Sequence, residues 1–350
     1  MKDMAKKVFV GMSGGVDSSV TAALLIEQGY DVTGVYMKNW SQDLPGFDCP
    51  WKEDYQDAKR VAVQLGIPFK MYDFEKEYRH KVVDYMLEGY KAGRTPNPDI
   101  MCNQEVKFKL FLNAALEDGA DMIATGHYAR IKDGQLLTGL DANKDQSYFL
   151  YRVTEDALKH SLMPIGDYEK PHIRELAQKL GLATATKKDS QGICFVGKVG
   201  IKEFLQQFVT TEPGNIVNQH GMVIGEHDGA LFYTIGQRHG LSVGGGLPYY
   251  VTGKDMAKNE VYVTTDLQDD RLWSDTLRLA DVHWINGAPN FDKDYQVRTR
   301  YRAALVTARL QLQDDGTVTV KLAEEIRAIT PGQSAVIYDG ERVVGGGIVA

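Results

Sequence analysis

The nine residues GMSGGVDSS at 11–19 hold the densest chemistry in the chain. Gly14 and Gly15 let a backbone approach an anion closely, and Ser13, Ser18 and Ser19 supply hydroxyls. A helix starting near Ser18 would aim its unpaired N–H groups at whatever occupies the loop. Gly11, Met12, Ser13, Gly14, Gly15, Val16, Asp17 and Ser18 therefore make a candidate phosphate cradle. It has no lysine, so it is not the GxxxxGK[ST] loop that holds β- and γ-phosphates for γ-transfer. GxGxxG is missing as well, which removes a dinucleotide reading.

Two cysteines far apart in sequence are the next candidates. Cys102 lies in NPDIMCN (97–103), just before a helix carrying Phe108 and Phe111. Cys194 lies in the Gly-containing turn DSQGICF (189–195), with Lys187, Lys188 and Lys198 nearby in sequence. The thiolate is the nucleophile, and a helix start or a cation lowers a thiol pKa from its usual value of about 8.5. Cys49 reads as a small buried hydrophobe. The three cysteines and eight histidines show no CxxC pair or zinc-ligand spacing, so no resident metal site is expected. Asp99, Cys102 and Cys194 would also suit an iron–sulfur cluster with one open iron, the less favoured alternative.

These residues need elements to hold them. Residues 7–12 are a short apolar run, 18–28 repeat at helical spacing before Gly29, and 31–37 return to strand. Ala58, Val61, Ala62 and Leu65 recur at i, i+3, i+4, i+7 ahead of Gly66, and 69–74 read as strand. Phe108, Phe111, Leu112 and Ala115 mark a helix closed by Gly119, followed by an apolar run at 122–126. A later helix, 171–180, has Pro171 in its first turn. This alternation predicts an α/β fold, a doubly wound, Rossmann-like parallel sheet with helices on both faces. The glycine loop then falls at the C-terminal end of the first strand, where such sheets bind ligands. Past about residue 205, Asp-Gly pairs at 228–229, 315–316 and 339–340 predict hairpins. The expected domains are 1–205, a small β-rich domain 206–275 and a β-barrel-like domain 276–350.

Composition sets the outer bounds. At roughly 150 residues per domain, 350 residues predict two or three domains. Hydrophobic content of 43% with 25% charged excludes disorder and collagen-like structure. No apolar run reaches the ~18 residues of a membrane span. The stretch MKDMAKKVFVGMSGG does not read as a secretory signal, and three cysteines make no disulfide framework, so the cytoplasm is expected and no membrane partner. A net charge of −7 argues against coating a polyanion but leaves room for a local basic surface. Arg298, Arg300 and Arg302 share one parity, which on a strand would place three phosphate ligands on one face.

SGGVDSS resembles the SGGxDS loop of the PP-loop ATP pyrophosphatases. GMSGGVDSS, NPDIMCN, ATGHYAR (124–130), KDQSYFLY (144–151), DSQGICF and YTIGQRHGL (233–241) stand in the order seen in bacterial tRNA-specific 2-thiouridylases. The one departure noted is His239, where those enzymes usually carry Lys. The resemblance implies ATP held by Gly11 to Ser18, Met37 and Gly126 beside the adenine, and Asp17 placing a Mg²⁺ on the pyrophosphate. It implies a tRNA substrate engaged at its anticodon stem-loop, with the wobble uridine 34 of tRNAs for Lys, Glu and Gln flipped out. O2 would be adenylated and exchanged for sulfur, releasing AMP and pyrophosphate. Cys194 would carry a persulfide from a cysteine desulfurase or a sulfur-relay protein, and Cys102 would attack it, leaving a Cys102–Cys194 disulfide. Asn97, Pro98 and Asp99 would contact the target base; His127, Lys144, Asp145, Gln146, Arg300, Tyr301 and Gln333 would contact the rest of the tRNA. The cysteine pair separates this reading from a PP-loop amidotransferase, and the complete loop from a non-catalytic RNA-binding protein.

Overall fold

The structure is a computed structural model that describes residues 5–43, 49–188, 200–241, 243–244 and 246–350. Among these residues the chain builds three sheets. It begins with β1 (Lys7–Gly11), α1 (Val16–Glu27), β2 (Asp31–Lys38), α2 (Trp51–Leu65) and β3 (Phe69–Asp73). After β4 (Met122–Ala124) come a hairpin, β5 (Ala129–Lys132) and β6 (Gln135–Thr138), and then the short β7 (Ser161–Leu162). The first sheet runs β3-β2-β1-β4-β7, and every pairing in it is parallel. A central parallel strand must be apolar on both faces, as β1 is. Val8 and Val10 pack with Val20, Leu24 and Leu25 of α1 and Val61 of α2, while Phe9 faces Phe108, Phe111 and Ile123. Each such side chain, fully buried, contributes about 1.5–3 kcal/mol. The predicted doubly wound α/β class is what forms.

Residues 98–117 form one helical run: α-helical over Pro98–Met101, π-helical over Cys102–Phe111 and α-helical again over Leu112–Glu117. The sequence places Cys102 ahead of this helix, but the helix starts four residues before it. Its start is set by Pro98 in the first position and Asn97 as cap, not by an apolar repeat. The run is wedged between two cores. Phe108 and Phe111 join the core under the parallel sheet; Cys102 and Val106 join a core with Tyr78, Phe204, Phe232 and Val261.

The second sheet holds β8 (Gly214–Val217), β9 (Val223–His227), β10 (Tyr250–Asp255) and β11 (Glu260–Thr264), ordered β10-β11-β8-β9. The hairpin expected at Asp228–Gly229 does not form. The chain turns instead at 218–222, where Asn218 Oδ1 accepts from the N–H groups of His220 and Met222 at 3.0 Å each. Asp228 pairs with Lys202.

The third sheet contains β12 (Trp273–Trp284), β13 (Asp294–Arg298), β14 (Val306–Leu312), β15 (Val318–Arg327), β16 (Ser334–Asp339) and β17 (Arg342–Val349). β12 pairs with both β15 and β17, which closes the six into a barrel around Leu279, Val297, Leu310, Val320 and Ile337. The Asp-Gly pairs at 315–316 and 339–340 lie at the β14–β15 and β16–β17 turns. The β5–β6 hairpin adds to this sheet through Leu137 and Arg342, so a piece of the first 150 residues belongs structurally to the barrel. The predicted arginine face is not formed. β13 ends at Arg298, residues 299–302 turn, and Arg302 has φ +63°. Among the described residues no helix is long and apolar enough to cross a membrane.

Candidate functional site

The glycine loop follows β1 and opens α1 at the C-terminal edge of the parallel sheet. Gly14 has φ +76°, and a Cβ there would lie 2.3 Å from the Asp54 carbonyl oxygen, so only glycine fits. A Cβ at Gly126 would sit 2.9 Å from the Ser18 nitrogen, which shows how closely the 126 backbone approaches the start of α1. A Cβ at Gly11 would sit 3.0 Å from Met37 Cε and 3.4 Å from the Phe111 ring. Residues 11–18, Met37 and Gly126 therefore converge, and the helix carrying Cys102 reaches the same place through Phe111. Ser18 Oγ accepts from the Ser13 N–H at 3.2 Å and donates to the Gly15 carbonyl, which fixes the loop's curvature.

Asp17 does not face an open cation site. Its Oδ1 and Oδ2 accept from Lys170 Nζ at 2.7 and 2.8 Å, and Oδ1 accepts from the Tyr128 hydroxyl at 2.8 Å. Among the described residues no group of three His, Cys, Asp or Glu side chains could hold a metal ion. The Asp17 carboxylate is here paired with the Lys170 ammonium, and a Mg²⁺ carried on a nucleotide's phosphates would need only such a single carboxylate beside them. What Asp17 does hold is Lys170, a buried lysine at the start of the helix Lys170–Lys179 that local sequence gave no reason to single out. The lysine missing from the loop's sequence is brought to it from 153 residues away.

Cys102 is 4% exposed. Burial pushes its thiol pKa up, opposed by the Lys107 ammonium, whereas the sequence reading expects a helix start to lower it. The helix start is at Pro98, a turn earlier. Asn97 caps that start: its Oδ1 accepts from the Asp99 and Ile100 N–H groups at 3.1 and 3.4 Å. Asp99 is half-buried, and burial raises its carboxyl pKa against the opposing charge of Lys107. Lys107 Nζ lies 3.3 Å from His127 Nε2, and His127 Nδ1 lies 2.8 Å from Thr125 Oγ1. His127 is 7% exposed, and burial, with Lys107 adding, holds its pKa well below the usual value, so the ring is neutral. Asp99, Cys102 and Lys107 on the helical run and His127 from the segment after β4 thus make one polar cluster, with Cys102 and His127 buried and Asp99 and Lys107 half-buried. Cys194 lies outside the described residues, as does the whole of its motif, DSQGICF.

Several side chains expected to touch tRNA are bonded inside the protein. Asp145, 4% exposed, accepts from the Gly139 and Ser147 N–H groups, from Ser147 Oγ and from Arg298. Gln146 Oε1 accepts from the Tyr128 N–H, while for Lys144 it is the backbone N–H that donates to the Asp141 carbonyl. Arg300 Nη2 donates to the Ile235 and Ala328 carbonyls at 2.9 and 2.7 Å and to Thr330 Oγ1. Gln333 Nε2 donates to the Thr95 carbonyl at 2.7 Å. Tyr301 packs on Phe149 with ring centroids 4.5 Å apart, and the Arg302 guanidinium lies over its ring.

Three family models cover the chain in succession. A tRNA methyl transferase HUP domain matches residues 6–198, a tRNA methyl transferase PRC-barrel domain 202–265, and an aminomethyltransferase beta-barrel domain 274–349. The tRNA-specific 2-thiouridylase MnmA of Listeria monocytogenes serotype 4a (strain HCC23) is 49% identical over 349 residues, covering 98% of this chain and 94% of the relative. The proteins of the same name from Lysinibacillus sphaericus (strain C3-41) and Bacillus subtilis (strain 168) are 49% and 48% identical, each with the same shares covered. A glycine loop at the sheet edge, the buried Cys102 on a helix packed against it and near-half identity along almost the whole length lead to one conclusion: the chain belongs to the tRNA-specific 2-thiouridylase family.

Proposed function

We propose that this chain thiolates C2 of the wobble uridine, position 34, in tRNAs for Lys, Glu and Gln at the cost of one ATP. The observation that carries the reading is the convergence of Gly11–Ser18, Met37 and Gly126 at the sheet edge, with the Cys102 helix packed against it. Loop N–H groups and the start of α1 hold the phosphates of ATP as substrate. Lys170, now paired with Asp17, supplies the positive charge the loop's own sequence lacks. Uridine O2 attacks the α-phosphorus, pyrophosphate leaves, and O2 becomes part of an AMP leaving group.

Sulfur arrives as a persulfide on Cys194, loaded by a cysteine desulfurase or a sulfur-relay protein. The Cys102 thiolate attacks the inner sulfur of Cys194, forming the Cys102–Cys194 bond and expelling hydrosulfide. Hydrosulfide adds to C2, AMP departs with O2, and the proton of the added sulfur is lost to give the thione. A dithiol reductant then supplies the two electrons that reopen the disulfide. The raised pKa of Cys102 keeps it protonated at rest, and the Lys107 ammonium favours the thiolate when it forms. The protein with Cys194→Ser should release pyrophosphate on tRNA yet make no 2-thiouridine. Thiolation at the normal rate in that variant would overturn the persulfide role.

A further inference from the structure

Thr95 stands two residues before Asn97 and is 8% exposed. Elements outside its own segment hold it at three points. Its N–H donates to the Pro331 carbonyl at 2.9 Å, and its carbonyl accepts from Gln333 Nε2 at 2.7 Å, both in the connection between β15 and β16 of the barrel. Its Oγ1 lies 3.1 Å from Thr234 Oγ1, which belongs to the β9–β10 connection of the second sheet. Arg300 ties the same two regions to each other through Ile235 and Thr330. Gly332 has φ +90°, and a Cβ there would lie 2.7 Å from the Thr95 nitrogen and 2.8 Å from Arg94 Cβ, so the barrel touches this backbone directly.

The far side of the segment is held as well. Gln104 bonds Arg152, whose guanidinium donates to the Asp281 carbonyl at 2.9 Å and pairs with its carboxylate at 3.0 Å. Asn103 Nδ2 donates to the Phe149 carbonyl at 3.0 Å. Thus the barrel grips this segment directly just before Asn97 and, through Arg152, just after Cys102. Polar bonds of this kind, most of them partly buried and all specific in direction, fix geometry more than they add affinity.

We propose that Thr95 is a positioning residue: through it the two β-rich parts of the chain set the 97–102 segment, so that an RNA held by the barrel and the Cys102 thiol are fixed relative to one another. The proposal deepens the thiolation reading and rests on it. Gln333 and Arg300, which by resemblance contact tRNA, are the side chains already bonded to this junction, so RNA engaging them acts on Thr95 at one remove.

The test uses the full-length protein, a tRNA transcript and a persulfide-loaded donor, with Thr95→Val, Thr234→Val, the double variant and Gly332→Ala. Valine keeps the shape of threonine and removes only the Oγ1 bond, so these variants stand in if Gly332→Ala does not fold. A misplacement near 1 Å costs about 10²-fold in rate, so Gly332→Ala should lower the single-turnover thiolation rate at saturating tRNA by that order. Thr95→Val and Thr234→Val should each slow it, with the double variant no slower than the worse single one. The tRNA dissociation constant should stay within about threefold, and iodoacetamide should label Cys102, mapped by mass spectrometry, faster than in the parent. Normal thiolation and labelling, or a loss confined to tRNA affinity, would overturn the proposal. Cys102→Ser serves as a separate arm: if it still thiolates, the nucleophile assignment fails, while the labelling shift at Cys102 continues to test the positioning role by itself.

Discussion

Lys170 reaches Asp17 across 153 residues of chain, and its own backbone N–H donates to Asp141 Oδ2 at 3.0 Å. One residue thereby links the glycine loop to the segment 141–146, which holds the KDQ residues. Nothing local flags Lys170: it opens an ordinary amphipathic helix, and its partner appears only when the chain folds. Asp145 shows the converse. In sequence it is an acid in a polar loop, yet it is buried with four donors around it, and an acid so placed holds a loop together. Gly14 was legible as a close-approach position, though what its backbone approaches here is the Asp54 carbonyl; the close approach of Gly126 to Ser18 had no such signal. We predict that Lys170→Met lowers kcat/KM for pyrophosphate release by roughly 10²–10³-fold, the usual loss when one preorganised charge donor is removed. Its tRNA dissociation constant should move less than about threefold. A pyrophosphate assay and filter binding check both, and unaltered pyrophosphate release would remove Lys170 from the ATP site.

The helical run 98–117 decides where the Cys102 thiol sits. Its Asn97 cap satisfies two N–H groups that would otherwise be unpaired, and a lost cap costs ~1 kcal/mol. Asn97→Ala should therefore destabilise the protein by about that amount in urea unfolding, whereas Asn97→Ser, a competent cap, should restore most of it. If Ala and Ser were equally stable, the cap would not be what holds this turn. Base contact is a separate question, answered by thiolation in the Ser variant. The surrounding elements were readable where one face is apolar and the other wet, as in α2. The helix under Phe108 and Phe111 was readable too, but its start at Pro98 and its π-helical turns were not, because residues 102–111 bury side chains toward two cores and show no single stripe. π-helical turns concentrate at functional sites, and this one carries Cys102 and Lys107. The failed hairpin at Asp228–Gly229 has a similar cause, since Asn218 makes the better local turn five residues before β9 begins.

At the scale of the molecule, an α/β sheet, a small second sheet and a closed barrel meet around one short segment. The change in texture near residue 205 was legible because strand spacing and Asp-Gly turns replace helical periodicity. The ties between the parts were not: Thr95 to Pro331, Gln333 and Thr234 are single bonds between residues far apart in sequence. The β5–β6 hairpin joins the barrel edge by one residue pair, equally silent in the sequence. The barrel's arginines were misjudged because parity assumes an unbroken strand, and β13 stops at Arg298. What unites the three parts is the claim that nucleotide cleavage turns O2 into a leaving group and two thiols deliver its replacement. A single-turnover reaction with α-labelled ATP, tRNA transcript and persulfide-loaded protein measures this directly, by counting AMP, pyrophosphate and 2-thiouridine. The account predicts equal amounts of all three, and pyrophosphate without 2-thiouridine when Cys102 and Cys194 are both changed to serine. Formation of 2-thiouridine by that double variant, or ADP and phosphate in place of AMP and pyrophosphate, would contradict it.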